Sequence, residues 1–205
     1  ALTTAQERTR GHADAGVDGR FAITPQVAFT ATVNPDFATI EADVEQVNLT
    51  RFEISLNEKR PFFLEGSEQF RQRIRTFYTR RISDIRGGAK LSGRQGPWSL
   101  SAIYADASAS GTLPNARYAV LRTQRDLAGR SNVAWMLADR DTAGRHQGSA
   151  GLDANLFFTK TLGMTAQAVR SYGPFGSGVN GFFVRPSYDS PTGHFHVRYT
   201  DMGAQ

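Results

Sequence analysis

Side chains that alternate strictly between apolar and polar need a backbone of period two, and only an extended strand has it. Gly151 to Ser171, GLDANLFFTKTLGMTAQAVRS, keeps that alternation through two runs. Leu152, Ala154, Leu156 and Phe158 fall on one face, and Gly151, Asp153, Asn155 and Phe157 on the other. Past a turn near Lys160, Leu162, Met164, Ala166 and Ala168 alternate with Gly163, Thr165, Gln167 and Val169. The stretch is predicted to be a β-hairpin with one apolar and one mostly polar face.

The pattern recurs on both sides. Phe182, Val184, Pro186 and Tyr188 alternate with Phe183, Arg185 and Ser187; DSPTG then turns the chain. Phe195, Val197 and Tyr199 alternate with His194, His196, Arg198 and Thr200. Pro186 cannot donate to a ladder, so a bulge or an edge is expected there. Upstream, Trp98, Leu100, Ala102 and Tyr104 share a face, as do Val133, Trp135 and Leu137. Gly88, Lys90, Ser92 and Arg94 alternate with Gly87, Ala89, Leu91 and Gly93, and RQGP makes the turn. DGRFAITPQVAFTATVN reads as two strands broken at Thr24-Pro25. Altogether about ten to twelve strands of roughly eight to eleven residues are predicted. ASASGTLPN and GPFGSG are the expected exposed loops.

Which face is wet decides the fold class. Membrane-crossing strands need about nine to eleven residues, whereas globular strands average about five or six. The polar faces repeatedly carry Arg, Asp, Asn, Gln and Lys, as a water-filled lumen would. Trp98, Tyr104, Tyr172, Tyr188 and Tyr199 are expected near strand ends, where interfacial aromatics collect. The reading is an all-β, antiparallel up-and-down transmembrane β-barrel, or part of one. It would form a single domain over residues 1–205, with an irregular insert around 36–75. The competing reading is a soluble β-sandwich.

The rest of the chain narrows chemistry by subtraction. There is no cysteine among the 205 residues, which removes disulfides and thiol catalysis. The formal charge of +5 comes from arginines spread along the chain, not a basic block, so nucleic acid is not an expected partner. No apolar run approaches the ~18 residues of a membrane helix. The chain opens without Met or an apolar leader and stops at YTDMGAQ after a strand-like run. Both ends are expected to be cut from something longer.

TVNPDFATIEADVEQVNLTRFEISLNEKRPFFLEG resembles the signature of an uncharacterised family of bacterial outer-membrane β-barrels. FYTRRIS, GGAKLSGRQGPWSLSAIYAD, YAVLRTQRDLAGRSNVAWMLADRD, GLDANLFF and YDSPTGHFHVRYTDMG resemble further blocks of that family, in its order. The resemblance runs from about Gly16 onward. It implies a bacterial outer-membrane location and contact with outer-membrane lipid or lipopolysaccharide. It also implies a family-9-like carbohydrate-binding domain on the N-terminal side, absent from this chain, and a barrel continuing past Gln205. The stretch between RRIS and GGAKL is shorter here than in the family. The resemblance implies no reaction.

NEKRPFFLEGSEQF, from Asn57 to Phe70, breaks the rhythm. A catalytic reading makes Glu58 and Glu65 an acid–base pair for glycoside hydrolysis, which needs two carboxyls at a set separation. The reading preferred here is a plug-like segment, with no catalytic, cofactor or metal site. Its charge cluster is Glu53, Glu58, Lys59, Arg60, Glu65 and Glu68, with Arg80 and Arg81. Glu53, Glu58, Glu65 and Glu68 would pair with wall arginines such as Arg80, Arg81, Arg122 and Arg198, while PFFL anchors the segment. A short helix before Asn48, a strand over Thr50–Leu56 and a short helix over Glu65–Phe70 are also expected. Pro61 should keep Arg60 out of a helix. Arg71, Arg73 and Arg75 would share one face of a strand, lining a lumen or meeting lipid headgroups. His194 and His196 have chelating spacing but no third ligand in view. The expected role is a pore, an anchor or a platform for a protein partner or another part of the same polypeptide. The alternatives are a saccharide-acting envelope enzyme and a soluble binding module.

Overall fold

The computed structural model describes residues 16–35, 56–82, 84–109, 114–174 and 178–203. Eleven strands follow one another: β1 (Val17–Thr24), β2 (Val27–Val33), β3 (Ile85–Gln95), β4 (Trp98–Ala107), β5 (Ala116–Asp126), β6 (Asn132–Thr142), β7 (Arg145–Phe157), β8 (Leu162–Tyr172), β9 (Asn180–Ser190), β10 (Gly193–His196) and β11 (Tyr199–Met202). Each pairs antiparallel with its neighbour in sequence as far as β10, and β11 also pairs with β9. The result is one up-and-down all-β sheet. It is open: among the described residues, β1 and β10–β11 are its two edges. Strands β3 to β9 hold 10 to 13 residues each.

Pro186 acts on its neighbour strand. His196 pairs with Ser187 and Tyr199 with Val184, so the β10–β11 break lies opposite Arg185 and Pro186. Val197 N–H donates to the Pro186 carbonyl at 3.3 Å, but Pro186 has no N–H to return. The expected irregularity is therefore carried by the partner strand.

The two faces of the sheet differ in kind. One carries Phe21, Phe29, Leu91, Leu100, Tyr104, Leu121, Trp135, Leu152, Met164, Val184 and Tyr199, which the register places side by side. Many are widely exposed, Phe21 at 63%, Leu152 at 61% and Tyr199 at 61%. This is the bare face. The other, the covered face, carries Thr32, Lys90, Ser101, Arg122 and Gln167, all buried, beside Ile103, Ala105, Val120 and Met136. It is covered by the segment joining β2 to β3.

That segment leaves the sheet at Asn34 and rejoins it at Ile85, so the break in the strand rhythm extends past the expected 36–75. Residues 36–55, with the helix expected before Asn48 and most of the expected Thr50–Leu56 strand, lie outside the described residues. Within it α1 (Pro61–Leu64) is one turn, with Arg60 extended at its N-cap as a residue before proline should be. Ser67–Phe70 and Thr79–Arg81 are 3-10 turns. Arg71 to Tyr78 form no strand.

Aromatic placement is mixed. Trp98 begins β4, Tyr172 ends β8 and Tyr188 lies near the end of β9, as expected. Tyr199 likewise begins β11, whereas Tyr104 sits well inside β4, paired with Ala89. Connections also differ between the two ends. Pro25-Gln26, Gly96-Pro97 and Pro191-Thr192 are two-residue turns at one end. The 34–84 segment and the 108–115 and 173–179 connections lie at the other, together with the two-residue Ala143-Gly144 turn.

Candidate functional site

The site is the junction between the inserted segment and the covered face. Its apolar part is built on Phe62 and Phe63, packed edge to face at 5.0 Å, with Phe63 fully buried. They join Phe70, Ile82, Ile85, Ile103, Ala105, Ala107, Val120, Met136 and Ala138 in one cluster. Small wall residues make the room. A Cβ on Gly88 would come within 2.8 Å of the Phe62 ring, so glycine there is a seat for the phenylalanine. Burying each phenylalanine contributes about 1.5–3 kcal/mol.

The charged residues are consumed in fastening the segment. Glu58 accepts from the Arg60 backbone at 2.9 Å and from its guanidinium at 2.9 and 2.8 Å. The same guanidinium donates to the carbonyls of Ile82 (2.7 Å) and Thr79 (2.8 Å) and lies 4.4 Å over the Phe63 ring. Arg60 thus staples the start of the segment to its end. Burial pushes the Glu58 carboxyl up, but hydrogen bonds from Arg60 and Thr79 outweigh it and hold the group below the usual carboxylate range.

Lys90, 3% exposed on β3, reaches across from the wall. It donates to the carbonyls of Phe62 (2.9 Å) and Glu65 (2.8 Å) and to the Glu65 carboxylate (3.3 Å). All three ammonium protons have acceptors, two of them carbonyls at the end of α1. Arg20 of β1 holds the other Glu65 oxygen at 2.6 Å.

A second polar clip lies further along. The Gln167 amide accepts from Ile74 N–H at 2.7 Å and donates to Ile74 O at 2.9 Å, replacing the strand partner Ile74 lacks. Gln72 donates to Asp153 at 2.9 Å, and Arg122 grips that carboxylate at 2.6 and 2.7 Å. Below the segment is a cavity of about 490 Å³ lined by Arg20, Gln69, Ser92, Ser101, Arg122 and Gln124, among others.

The expected charge cluster is rearranged. Glu65 does dock on the wall, but through Arg20 and Lys90. Glu58 pairs with Arg60 of its own segment. Arg80 and Arg81 belong to the segment, not to the wall, because it runs on to residue 84. Arg122 reaches the segment only through Asp153, and Arg198 lies in the β10–β11 break. Lys59 is half-buried, Glu68 is exposed and Glu53 lies outside the described residues. Glu58 and Glu65 are fastened to different partners and do not form a facing pair.

Lys90, Gln72, Gln167, Gly88 and Asp153 were not singled out from sequence. A lysine among Gly88 and Ser92 on a strand's polar face was the available signal. His194 Nε2 lies 3.0 Å from His196 Nδ1, and His194 also contacts Asp189. Among the described residues, no three such side chains are arranged to hold a metal ion.

A family model described as a domain of unknown function, DUF5916, matches residues 1–96. The match takes in β1 to β3 and the whole inserted segment, and ends at the β3–β4 turn. No curated protein and no solved structure matches the chain.

Proposed function

We propose that this chain is the wall of an outer-membrane β-barrel, or a large part of one, whose lumen is narrowed by the inserted segment, and that it serves passage across the bacterial outer membrane. The observation that carries the reading is the inversion of faces. The uncovered side of the sheet carries a broad band of exposed apolar residues, with Asp106, Arg117, Asp139 and His146 toward one end, and the side that packs the insert is lined with Lys, Arg, Ser, Thr and Gln. A soluble sheet buries its apolar face, whereas a membrane barrel turns it to lipid. Strands of 10 to 13 residues suit a tilted crossing.

The open edges fit the same reading. A lipid-exposed edge leaves backbone groups unsatisfied, so β1 and β10–β11 must pair with each other or with further strands in the membrane. The short turns belong on the periplasmic side and the longer connections outside, so the insert enters from the external side. A carbohydrate-binding domain elsewhere on the polypeptide, implied by the resemblance, would make it a passage for captured saccharide.

The test is the full-length protein extracted from outer membranes. A folded barrel migrates faster on gels before boiling than after it, and a photoactivatable lipid should label peptides bearing Leu152 and Tyr199. Recovery of native protein in the soluble fraction, with those peptides unlabelled, would sink the proposal.

A further inference from the structure

The run from Arg71 to Thr76 is fastened to the covered face by alternate residues. Gln72 donates to Asp153, Ile74 is clipped by Gln167, and Thr76 Oγ1 donates to Gln72 at 2.6 Å. Though the chain bends at Arg73 and Ile74, burial still alternates along it. Arg71, Arg73 and Arg75 are all exposed, while Gln72, Ile74 and Thr76 are half-buried. Arg75 lies 4.3 Å over the Tyr78 ring, which stiffens the end of the row.

Most other charges on this side are paired. Arg122 is paired with Asp153, Lys90 and Arg20 with Glu65, and Arg94 with Asp126. Among the described residues, Arg71 and Arg73 make no ion pair, nor do Arg140 and Arg185 on the covered face, whose Nε atoms are buried without an acceptor. Against them stand Glu68 and Asp84 on the segment and Asp18 on β1. The balance of unpaired charge is positive, and Arg71 and Arg73 carry half of its cations on the insert itself.

We infer that Arg71, Arg73 and Arg75 form an arginine row that makes the passage selective for small anions, those carrying carboxylate or phosphate groups. The inference rests on the pore reading above. Fixed guanidiniums lining a narrow, low-dielectric opening raise the local anion concentration and bind such groups bidentately, without a closed pocket to trap them.

The experiment is conductance of the full-length protein in planar bilayers under a potassium chloride gradient, with inorganic phosphate as a second probe. The expected reversal potential favours chloride, and phosphate reduces the chloride current. Combined Arg71→Glu, Arg73→Glu and Arg75→Glu should turn the preference to potassium and abolish the phosphate effect. The Lys series should keep the anion preference. Heat-modifiable mobility confirms that each variant folds, and a Gln series gives an intermediate preference if the Glu series does not fold. A conducting wild type that prefers potassium, or variants with unchanged selectivity, would overturn the inference and leave the pore. Absence of any conductance would remove the pore reading, and this inference with it.

Discussion

The two faces of β4 carry opposite chemistry on one strand. Trp98, Leu100 and Tyr104 are exposed, while Ser101, Ile103, Ala105 and Ala107 are buried. Large side chains stand where nothing covers them, and small ones where Phe62 and Phe63 press down. A soluble domain would be built the other way round. On the membrane reading proposed above, the covered face is a polar wall with one apolar patch cut to fit an insert.

The sharpest break in that comparison is between Phe63 and Leu152. Phe63→Ala should cost about 3–5 kcal/mol, read as a lowered urea midpoint in detergent, because a fully buried ring leaves a cavity. On the membrane reading, Leu152→Ala should shift stability by less than about 1 kcal/mol, since lipid or detergent would meet the side chain either way. Leu152→Arg should cost about 2–4 kcal/mol in a bilayer. A Leu152→Ala loss as large as that of Phe63→Ala would mean that Leu152 is packed in protein, and the membrane reading would fail.

The strands and their faces could be read from sequence because period two is local. The β1–β2 break at Pro25, the Gly96-Pro97 turn and the β7–β8 hairpin all appear where alternation and turn residues put them. The insert could not be read in the same way. Its backbone has no period, and its partners lie far along the chain: Lys90 is 25 residues from Glu65, and Gln167 is 93 from Ile74. The sequence offered charges and aromatics in the right segment. Which carboxylate meets which cation is set by the path of the fold, and that path moved Glu58 from the wall to Arg60.

The next effect separates the segment's internal staple from its docking on the wall. Glu58→Gln weakens charged hydrogen bonds to Arg60, a loss of about 1.5–3 kcal/mol at neutral pH. The sign with pH follows from the depressed native carboxyl. Its stabilisation is fully present above the ordinary value of 4.5 and drains away as pH falls through the lower native value. The gap between wild type and Glu58→Gln should therefore be widest near neutrality and shrink on acidification. A gap that holds constant well below pH 4 would show that the substitution acts through packing.

Docking on the wall is tested by Gln167→Leu. It strands both Ile74 backbone groups, costing about 1–3 kcal/mol where they stay dry and less where water reaches them. The loss should be local. Protease cleavage at Arg71, Arg73 and Arg75 should rise while heat-modifiable mobility persists, since no strand pairing depends on this amide. Global unfolding instead would mean that the segment and sheet fold as one unit.

The smallest effect belongs to the rims, and it sets the scale for the rest. Arg86 meets Asp106 at 2.7 Å, as closely as Arg122 meets Asp153, yet its side chain is 52% exposed and that of Arg122 only 9%. Solvent screens the first pair and both partners stay hydrated, so Arg86→Ala should leave stability nearly unchanged, the more so in high salt. Arg122→Ala leaves Asp153 half-buried, with Gln72 as its remaining donor, and should cost several times more. Equal losses for the two variants would show that the covered face is open to water, and that the segment is held by its phenylalanines alone.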